Sequence, residues 1–147
     1  MNEKIIKNIF IEGAITPDFI RLAISKHSTK KNIGAHSIFL GQVRNDVING
    51  KEVKAIDYSA YVEMAEEKFH EIREAAFGNY SLICLHIYHS LGIVNAGEIS
   101  LLVFTSSSRR KDAVKACEEI VERIKSETPV WGKEIFNDDS HQWKVNN

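Results

Sequence analysis

Two lysines in the last quarter of the chain have the types and spacing to do chemistry. Lys125 falls in the last turn of a predicted helix, and Lys133 falls on the strand after it, next to Gly132 and close to Trp131. Ammonium groups that converge from a helix end and a strand can stabilise a thiocarboxylate or a developing oxyanion. A lysine whose pKa is depressed can also form a covalent adduct. Compensation of the helix dipole would by itself explain Lys125 equally well.

Three arginines are candidates for holding an anion. Arg109 and Arg110 follow a run of serines at the start of a predicted helix, where free N–H groups and guanidinium groups can converge on a phosphate. Arg44 ends a strand shortly after Gly41, which lets a ligand approach the backbone closely. The alternatives are a solvated basic turn capped by Ser108 and an ordinary surface arginine.

The sequence does not favour a metal site. His86 and His89 stand three positions apart on a predicted strand and therefore project to opposite faces, so one ion cannot easily reach both. A structural role is expected for both histidines. Cys84 and Cys117 lie in apolar segments and are expected to be reduced, buried thiols rather than a disulfide or a catalytic pair.

Length and charge restrict the class of protein. The 147 residues fit a single domain, 1–147, and the formal net charge of −1 argues against a general nucleic-acid-binding surface. No apolar run reaches the roughly 20 residues that span a bilayer, and the N-terminus lacks the pattern of a signal peptide. A cytoplasmic protein that binds neither nucleic acid nor membrane is therefore expected.

The elements that would position these residues follow from hydrophobic periodicity and turn residues. Thr16 and Pro17 are typical of a helix start, Asn49-Gly50 predicts a hairpin turn, and Gly78 is expected to end a helix in the left-handed conformation. The predicted strands are 4–11, 34–43, 53–61, 81–89, 98–105 and 130–136, and the longer helices are 62–77 and 109–126.

The predicted strand 53–61 is expected to pair with strand 34–43 through the hairpin, and Gly92 is expected to lie in the connection between strands 81–89 and 98–105. This order of hairpins and helices predicts an α+β fold in which helices pack on an antiparallel sheet.

Several short fragments of the sequence resemble parts of the large, catalytic subunit of molybdopterin synthase, and they occur in the same order as in that family. They are spread over about residues 34–136, which is most of the chain, and their order and spacing together are more specific than any one of them. The fragments are Phe39-Leu40-Gly41-Gln42-Val43-Arg44-Asn45, Tyr61 with Met64-Ala65-Glu66, His89-Ser90-Leu91-Gly92, Gly97-Glu98, the turn Ser106 to Arg110, and Lys125 with Pro129, Trp131 and Glu134.

The resemblance implies a fold, partners and a reaction. The fold would be an α/β hammerhead, and two large subunits would form a homodimer within a heterotetramer. Each would bind a small ubiquitin-like sulfur carrier whose thiocarboxylated Gly-Gly tail enters the active site. Cyclic pyranopterin monophosphate would receive two sulfurs as the cyclic phosphate opens, giving the molybdopterin dithiolene. The carrier supplies the sulfur, so neither a cofactor nor a nucleophilic cysteine is needed.

The resemblance also assigns roles to residues. Arg44 and Arg110 match arginines of the anionic pterin pocket, and Lys125 matches the lysine beside the carrier's C-terminus. Gly132 stands where the family usually has a lysine, and Lys133 can replace that amine only through a local bulge. Arg109 stands where histidine is common, which keeps a cation but removes a proton shuttle.

Two other functions remain open at this stage. The first is a non-catalytic protein that binds pterin or the carrier and has lost turnover through Gly132. The second is an unrelated phosphate-ester hydrolase that uses the turn at Arg110, for which no carboxylate pair of suitable spacing is visible.

Overall fold

A computed structural model describes residues 9–145 of the chain. Within them, helices and strands alternate along most of the sequence. The helices are α1 (Pro17–Ser25), α2 (Val62–Asn79) and α3 (Arg110–Glu127), and the strands are β1 (Phe10–Glu12), β2 (Ala35–Gln42), β3 (Val47–Ile48), β4 (Lys51–Ala60), β5 (Cys84–Asn95), β6 (Ile99–Ser107), β7 (Val130–Phe136) and β8 (His141–Trp143). Residues 4–8 of the predicted first strand lie outside the described residues.

The strands form one open sheet in the order β2-β6-β5-β4-β7-β8, and β1 and β3 add to β5 and β4. Every pairing is antiparallel except that of β1 with β5, which is parallel. The predicted α+β fold with helices on an antiparallel sheet is therefore confirmed. None of the described helices is both long and apolar enough to cross a membrane.

Alternation along β6 divides the core into two layers. Leu101 and Val103 face one side of the sheet and pack against the buried stripes of α2 and α3. Leu102 and Phe104 face the other side, where Phe19 and Ile20 of α1 cover them. Because successive strand residues point to opposite faces, a strand covered on both sides is apolar throughout. The sheet thus carries α2 and α3 on one face and α1 on the other.

Local signals at two turns are confirmed. The Thr16 hydroxyl accepts a hydrogen bond of 3.1 Å from the Phe19 amide, and Pro17 is the first helical residue of α1. Asn49 and Gly50 have φ angles of 52° and 77°, as a two-residue hairpin turn between β3 and β4 requires.

The predicted pairing of strand 53–61 with strand 34–43 is wrong. The hairpin turn brings only β3 against the start of β4, since residues 43–46 leave the sheet before it. The rest of β4 pairs with β5 and β7, while β2 pairs with β6 over its whole length. A tight turn determines only the pairing of the residues next to it. The pairing of the longer strands depends on which of their faces become buried.

Two glycines behave differently from the sequence-based prediction. Gly78 is helical, with no positive φ, and α2 continues to Asn79 before Tyr80 turns extended. Gly92 lies inside β5 rather than in a connection, with a φ angle of 79°. β5 pairs with β6 up to His89 and with β4 from Gly92 onward, so the glycine allows the strand to bend between its two partners.

Candidate active site

A cleft of about 370 Å³ opens where the end of β2, the end of α3 and the start of β7 come together. Lys125 and Arg44 both line this cleft, as do Gly41 and Gly132. The structure thus brings together two of the predicted site residues, although 81 positions separate them in the sequence.

The end of β2 positions Arg44. The buried Val43 is tied on both sides, because its amide donates to the Glu98 carbonyl at 2.9 Å and its carbonyl accepts from the Gly97 amide at 2.8 Å. The Arg44 side chain is 74% exposed and forms a 3.3 Å ion pair with Asp46. An exposed ion pair of this kind contributes little stability, so the guanidinium group can turn to an incoming anion at small cost.

The last turn of α3 positions Lys125. Its neighbour Ile124 is buried in the core, and the Thr128 hydroxyl donates a 2.6 Å hydrogen bond to the Ile124 carbonyl. The Lys125 ammonium is exposed to the cleft, at the helix end where the dipole favours a cation. The helix end is therefore rigid while the amine is accessible.

His89 lies at the base of the cleft and is 8% exposed. Its Nδ1–H donates a 2.7 Å hydrogen bond to the Ser90 carbonyl. Burial lowers the pKa of His89 to about 4; the hydrogen bond to Ser90 opposes this shift, and the positive charge of Lys125 adds to it. At neutral pH the ring is therefore uncharged, and its Nε2 is a hydrogen-bond acceptor.

The base of the cleft also contains two hydroxyl groups. Tyr58 packs edge-on against His89 with the ring centroids 5.2 Å apart, and its hydroxyl donates to Ser100 Oγ at 3.2 Å. Burial raises the pKa of Tyr58, so its side chain remains a neutral phenol. The base of the cleft is thus polar but uncharged, and the positive charges stand around it.

Gly132 and Lys133 lie in regular strand. β7 pairs with β4 without a shift from Val130 to Ile135, and the register places Gly132 opposite Tyr58. Lys133 therefore projects to the face away from the cleft that Gly132 lines. A Cβ on Gly132 would come within 2.8 Å of Ile56 Cγ2, so even an alanine there requires the packing around Ile56 to shift. Among the described residues, β7 has no bulge at Gly132 that would turn Lys133 into the cleft.

A different amine occupies this side of the cleft. Lys144 follows β8, and its amide donates a 2.8 Å hydrogen bond to the Gly132 carbonyl. Its side chain is half-buried and lines the same cleft as Lys125. No local sequence motif singles out Lys144.

Arg109 and Arg110 lie at the other end of α3 from Lys125. The 15 residues between Arg110 and Lys125 correspond to about 22 Å along a helix axis, and both arginines are exposed outside the residues that line the cleft. The nearby Ser107 hydroxyl donates to the Arg109 carbonyl, so it is already engaged. Within one chain, these arginines and Lys125 do not form a common site.

Comparison with known proteins decides the family. The model of the MoaE protein family matches residues 15–127. The chain belongs to the MoaE family. A molybdopterin synthase catalytic subunit from Oryza sativa subsp. indica is 35% identical over 144 residues, which cover 98% of this chain and 72% of the relative. The corresponding subunit of Pyrococcus abyssi is 34% identical over 115 residues, covering 78% and 76%. The function predicted from the sequence, that of a molybdopterin synthase catalytic subunit in molybdenum cofactor biosynthesis, is confirmed.

Solved structures agree with this assignment. Molybdopterin synthase from Staphylococcus aureus superposes with a TM-score of 0.80 at 30% identity, covering 93% of this chain and 96% of that one. A complex of subunits 1 and 2 of molybdopterin-converting factor from Helicobacter pylori 26695 gives a TM-score of 0.80 at 23% identity, covering 95% and 90%. The second likeness shows that the fold is shared.

Proposed function

We propose that this MoaE family member transfers sulfur from a small carrier protein to an anionic pterin in the cleft. The observation that supports this most is the exposed Lys125 ammonium above the uncharged His89, with Arg44 lining the same cleft. Three cations, Lys125, Arg44 and Lys144, line a cleft whose base is uncharged. This arrangement favours the binding of two anionic groups together, such as a thiocarboxylate and a phosphate ester.

The proposed donor is the thiocarboxylated Gly-Gly tail of a ubiquitin-like carrier. A tail without side chains suits a cleft whose wall includes two glycines, Gly41 and Gly132. The subunits 1 and 2 found together in the Helicobacter pylori complex make a two-protein enzyme plausible for the fold. Lys125 would bind the thiocarboxylate and orient it toward the pterin.

Each transfer balances without a cofactor. The thiocarboxylate sulfur forms a bond to a carbon of the pterin side chain as a C–O bond of that carbon breaks, and the oxygen leaves as water or, where the cyclic phosphate opens, with the phosphate. The product is a thioester that links the pterin to the carrier. Water then cleaves the bond between sulfur and the carrier's carbonyl carbon, leaving sulfur on the pterin and a carboxylate on the carrier. Lys125 would offset the oxyanion that forms when water attacks that carbonyl. Two such transfers, with opening of the cyclic phosphate, give the dithiolene.

A second amine would assist Lys125, and we assign this role to Lys144 rather than Lys133. Lys144 lines the cleft beside Gly132, whereas strand alternation directs Lys133 away from it. This amine would belong to the segment after β8. The hydrogen bond from the Lys144 main-chain amide to the Gly132 carbonyl holds that segment beside Gly132.

Arg44 would bind the phosphate within the chain, and Arg109 and Arg110 would reach the cleft of a second copy in a homodimer. The distance of about 22 Å along α3 separates them from Lys125 of their own chain. A homodimer of these subunits with two carriers would give the expected heterotetramer. A cytoplasmic location suits the two free, buried cysteines, because reduced thiols are typical of that compartment.

Turnover with defined components tests the proposal. The protein is mixed with thiocarboxylated carrier and cyclic pyranopterin monophosphate, and dithiolene product is measured by mass spectrometry. We expect product from the wild type, at least about a hundredfold less from Lys125→Ala, and wild-type turnover from Lys115→Ala, an exposed lysine on the same helix. Carrier binding without product in the wild type would instead support a non-catalytic binding protein.

Mixed dimers test the origin of the arginines. Lys125→Ala and Arg110→Ala proteins are each inactive on their own in this scheme. After subunit exchange, one cleft in each mixed dimer has both residues, so about a quarter of wild-type activity should return. If Arg110 acted within its own chain, mixing would restore none.

A further inference from the structure

We propose that the chain carries a Zn²⁺ site made by His27, Cys84 and His86, on the face of the sheet opposite α2 and α3. The ligand atoms of these three residues all lie within 4.8 Å of one another. His27 lies just after α1, and the other two lie on β5, two positions apart and so on one face of the strand. Leu85, between them, packs in the core under α2 and α3.

The histidine geometry supports metal binding. His27 Nδ1–H donates a 2.7 Å hydrogen bond to the Ala23 carbonyl, which leaves Nε2 of the neutral ring with its lone pair. This Nε2 lies 2.9 Å from Nε2 of His86. Metal-binding histidines commonly donate their other N–H to a carbonyl in this way, which fixes the tautomer and the ring orientation.

Cys84 supplies the third ligand. It is 5% exposed, and the Lys30 ammonium lies 3.0 Å from its sulfur. A bound Zn²⁺ would take this sulfur as a thiolate, the form in which cysteine binds metal. Lys30 is itself exposed, so it can move into solvent when an ion takes the sulfur.

The donor set selects the metal. Two imidazoles and one thiolate suit Zn²⁺, whereas Mg²⁺ and Ca²⁺ prefer oxygen ligands. Three protein ligands leave a fourth, tetrahedral position for water. His86 is partly exposed, so an ion can reach the site from solvent without unfolding of the sheet. An ion here would tie the turn after α1 to β5, away from the cleft.

Cobalt substitution tests the site on the full chain. Co²⁺ added to metal-free wild-type protein should give a thiolate-to-cobalt charge-transfer band that saturates at one ion per chain. Cys84→Ser should abolish the band, and the buried Cys117→Ser, whose sulfur faces the other side of the sheet, should retain it. A band that persists in Cys84→Ser, or no band in the wild type, would overturn the proposal.

Calorimetry with Zn²⁺ provides a second measurement that does not depend on the cysteine. His27→Gln and His86→Gln should each weaken Zn²⁺ binding by at least about tenfold, and the exposed His141→Gln should not change it. Zn²⁺ at about a hundred times its Kd should raise the wild-type Tm by roughly 5–10 °C. Equal Zn²⁺ affinity in all three variants would show that the histidines form only a hydrogen-bonded cluster.

Discussion

The buried His89 should make the stability of the fold fall as the pH is lowered from 7 to 5. Its pKa is about 4 in the folded chain against 6.5 for a free histidine. Between these values the unfolded chain binds the proton and the folded chain does not, so unfolding becomes more favourable as the pH falls. The contribution of His89 to stability is therefore fully present above pH 6.5 and is lost as the pH drops toward 4.

The size of the effect follows from the two pKa values. One pKa unit corresponds to about 1.4 kcal/mol, so the full shift is worth about 3 kcal/mol. At pH 5 the unfolded histidine is almost fully protonated and the folded one is about a tenth protonated, which gives a loss of about 2 kcal/mol relative to pH 7. This is a substantial part of the stability of an ordinary domain.

Urea denaturation at pH 7 and pH 5 measures the effect. The variant His89→Gln keeps an N–H that can donate to the Ser90 carbonyl but does not titrate, so its pH dependence should be smaller by about 2 kcal/mol. His141→Gln, at an exposed position, is the matched control and should behave as the wild type. Equal pH dependence in the wild type and His89→Gln would refute the assignment of a depressed pKa to this residue.

Three further outcomes can be measured with single substitutions. Gly34→Ala should lower the free energy of unfolding by about 1–3 kcal/mol in urea titrations, because its Cβ would collide with the Ser108 carbonyl oxygen. Gly78→Ala, at a helical position with open space, should instead raise it by up to about 1 kcal/mol and increase Tm; a decrease would contradict the helical placement. Lys144→Ala should reduce dithiolene formation at least about tenfold while Lys133→Ala leaves it nearly unchanged. The reverse order would return the second amine to Lys133.

The sequence was sufficient for several elements whose determinants are local, although the local signal at Gly78 did not end α2 there. The cap at Thr16, the hairpin at Asn49-Gly50 and the apolar stripe of α3 depend on neighbouring residues, and all three were predicted. The strand partners depend instead on which faces are buried across the sheet, and there the prediction for β4 failed. The single domain 1–147 stays a prediction.

The site was predictable only in part for a related reason. Lys125 and Arg44 could be chosen because the family resemblance supplies long-range information that periodicity lacks. His89 was expected to have a structural role, since nothing in the neighbouring sequence reveals that it would be buried beside Lys125. The cluster of His27 with Cys84 and His86 escaped notice because His27 lies 57 positions before Cys84 and comes to it only through the packing of α1.

The distribution of charge in the cleft explains why uncharged side chains at its bottom are useful. A protonated His89 would add a further cation close to Lys125 and would repel the ammonium group of the lysine. Burial avoids this, because it keeps His89 and Tyr58 uncharged while their polar atoms stay bonded to Ser90 and Ser100. Attraction then comes from the cations that line the cleft, Lys125, Arg44 and Lys144, while the side chains at its base carry no charge. A ligand is thus held by its anionic groups, while its uncharged ring meets the neutral surface.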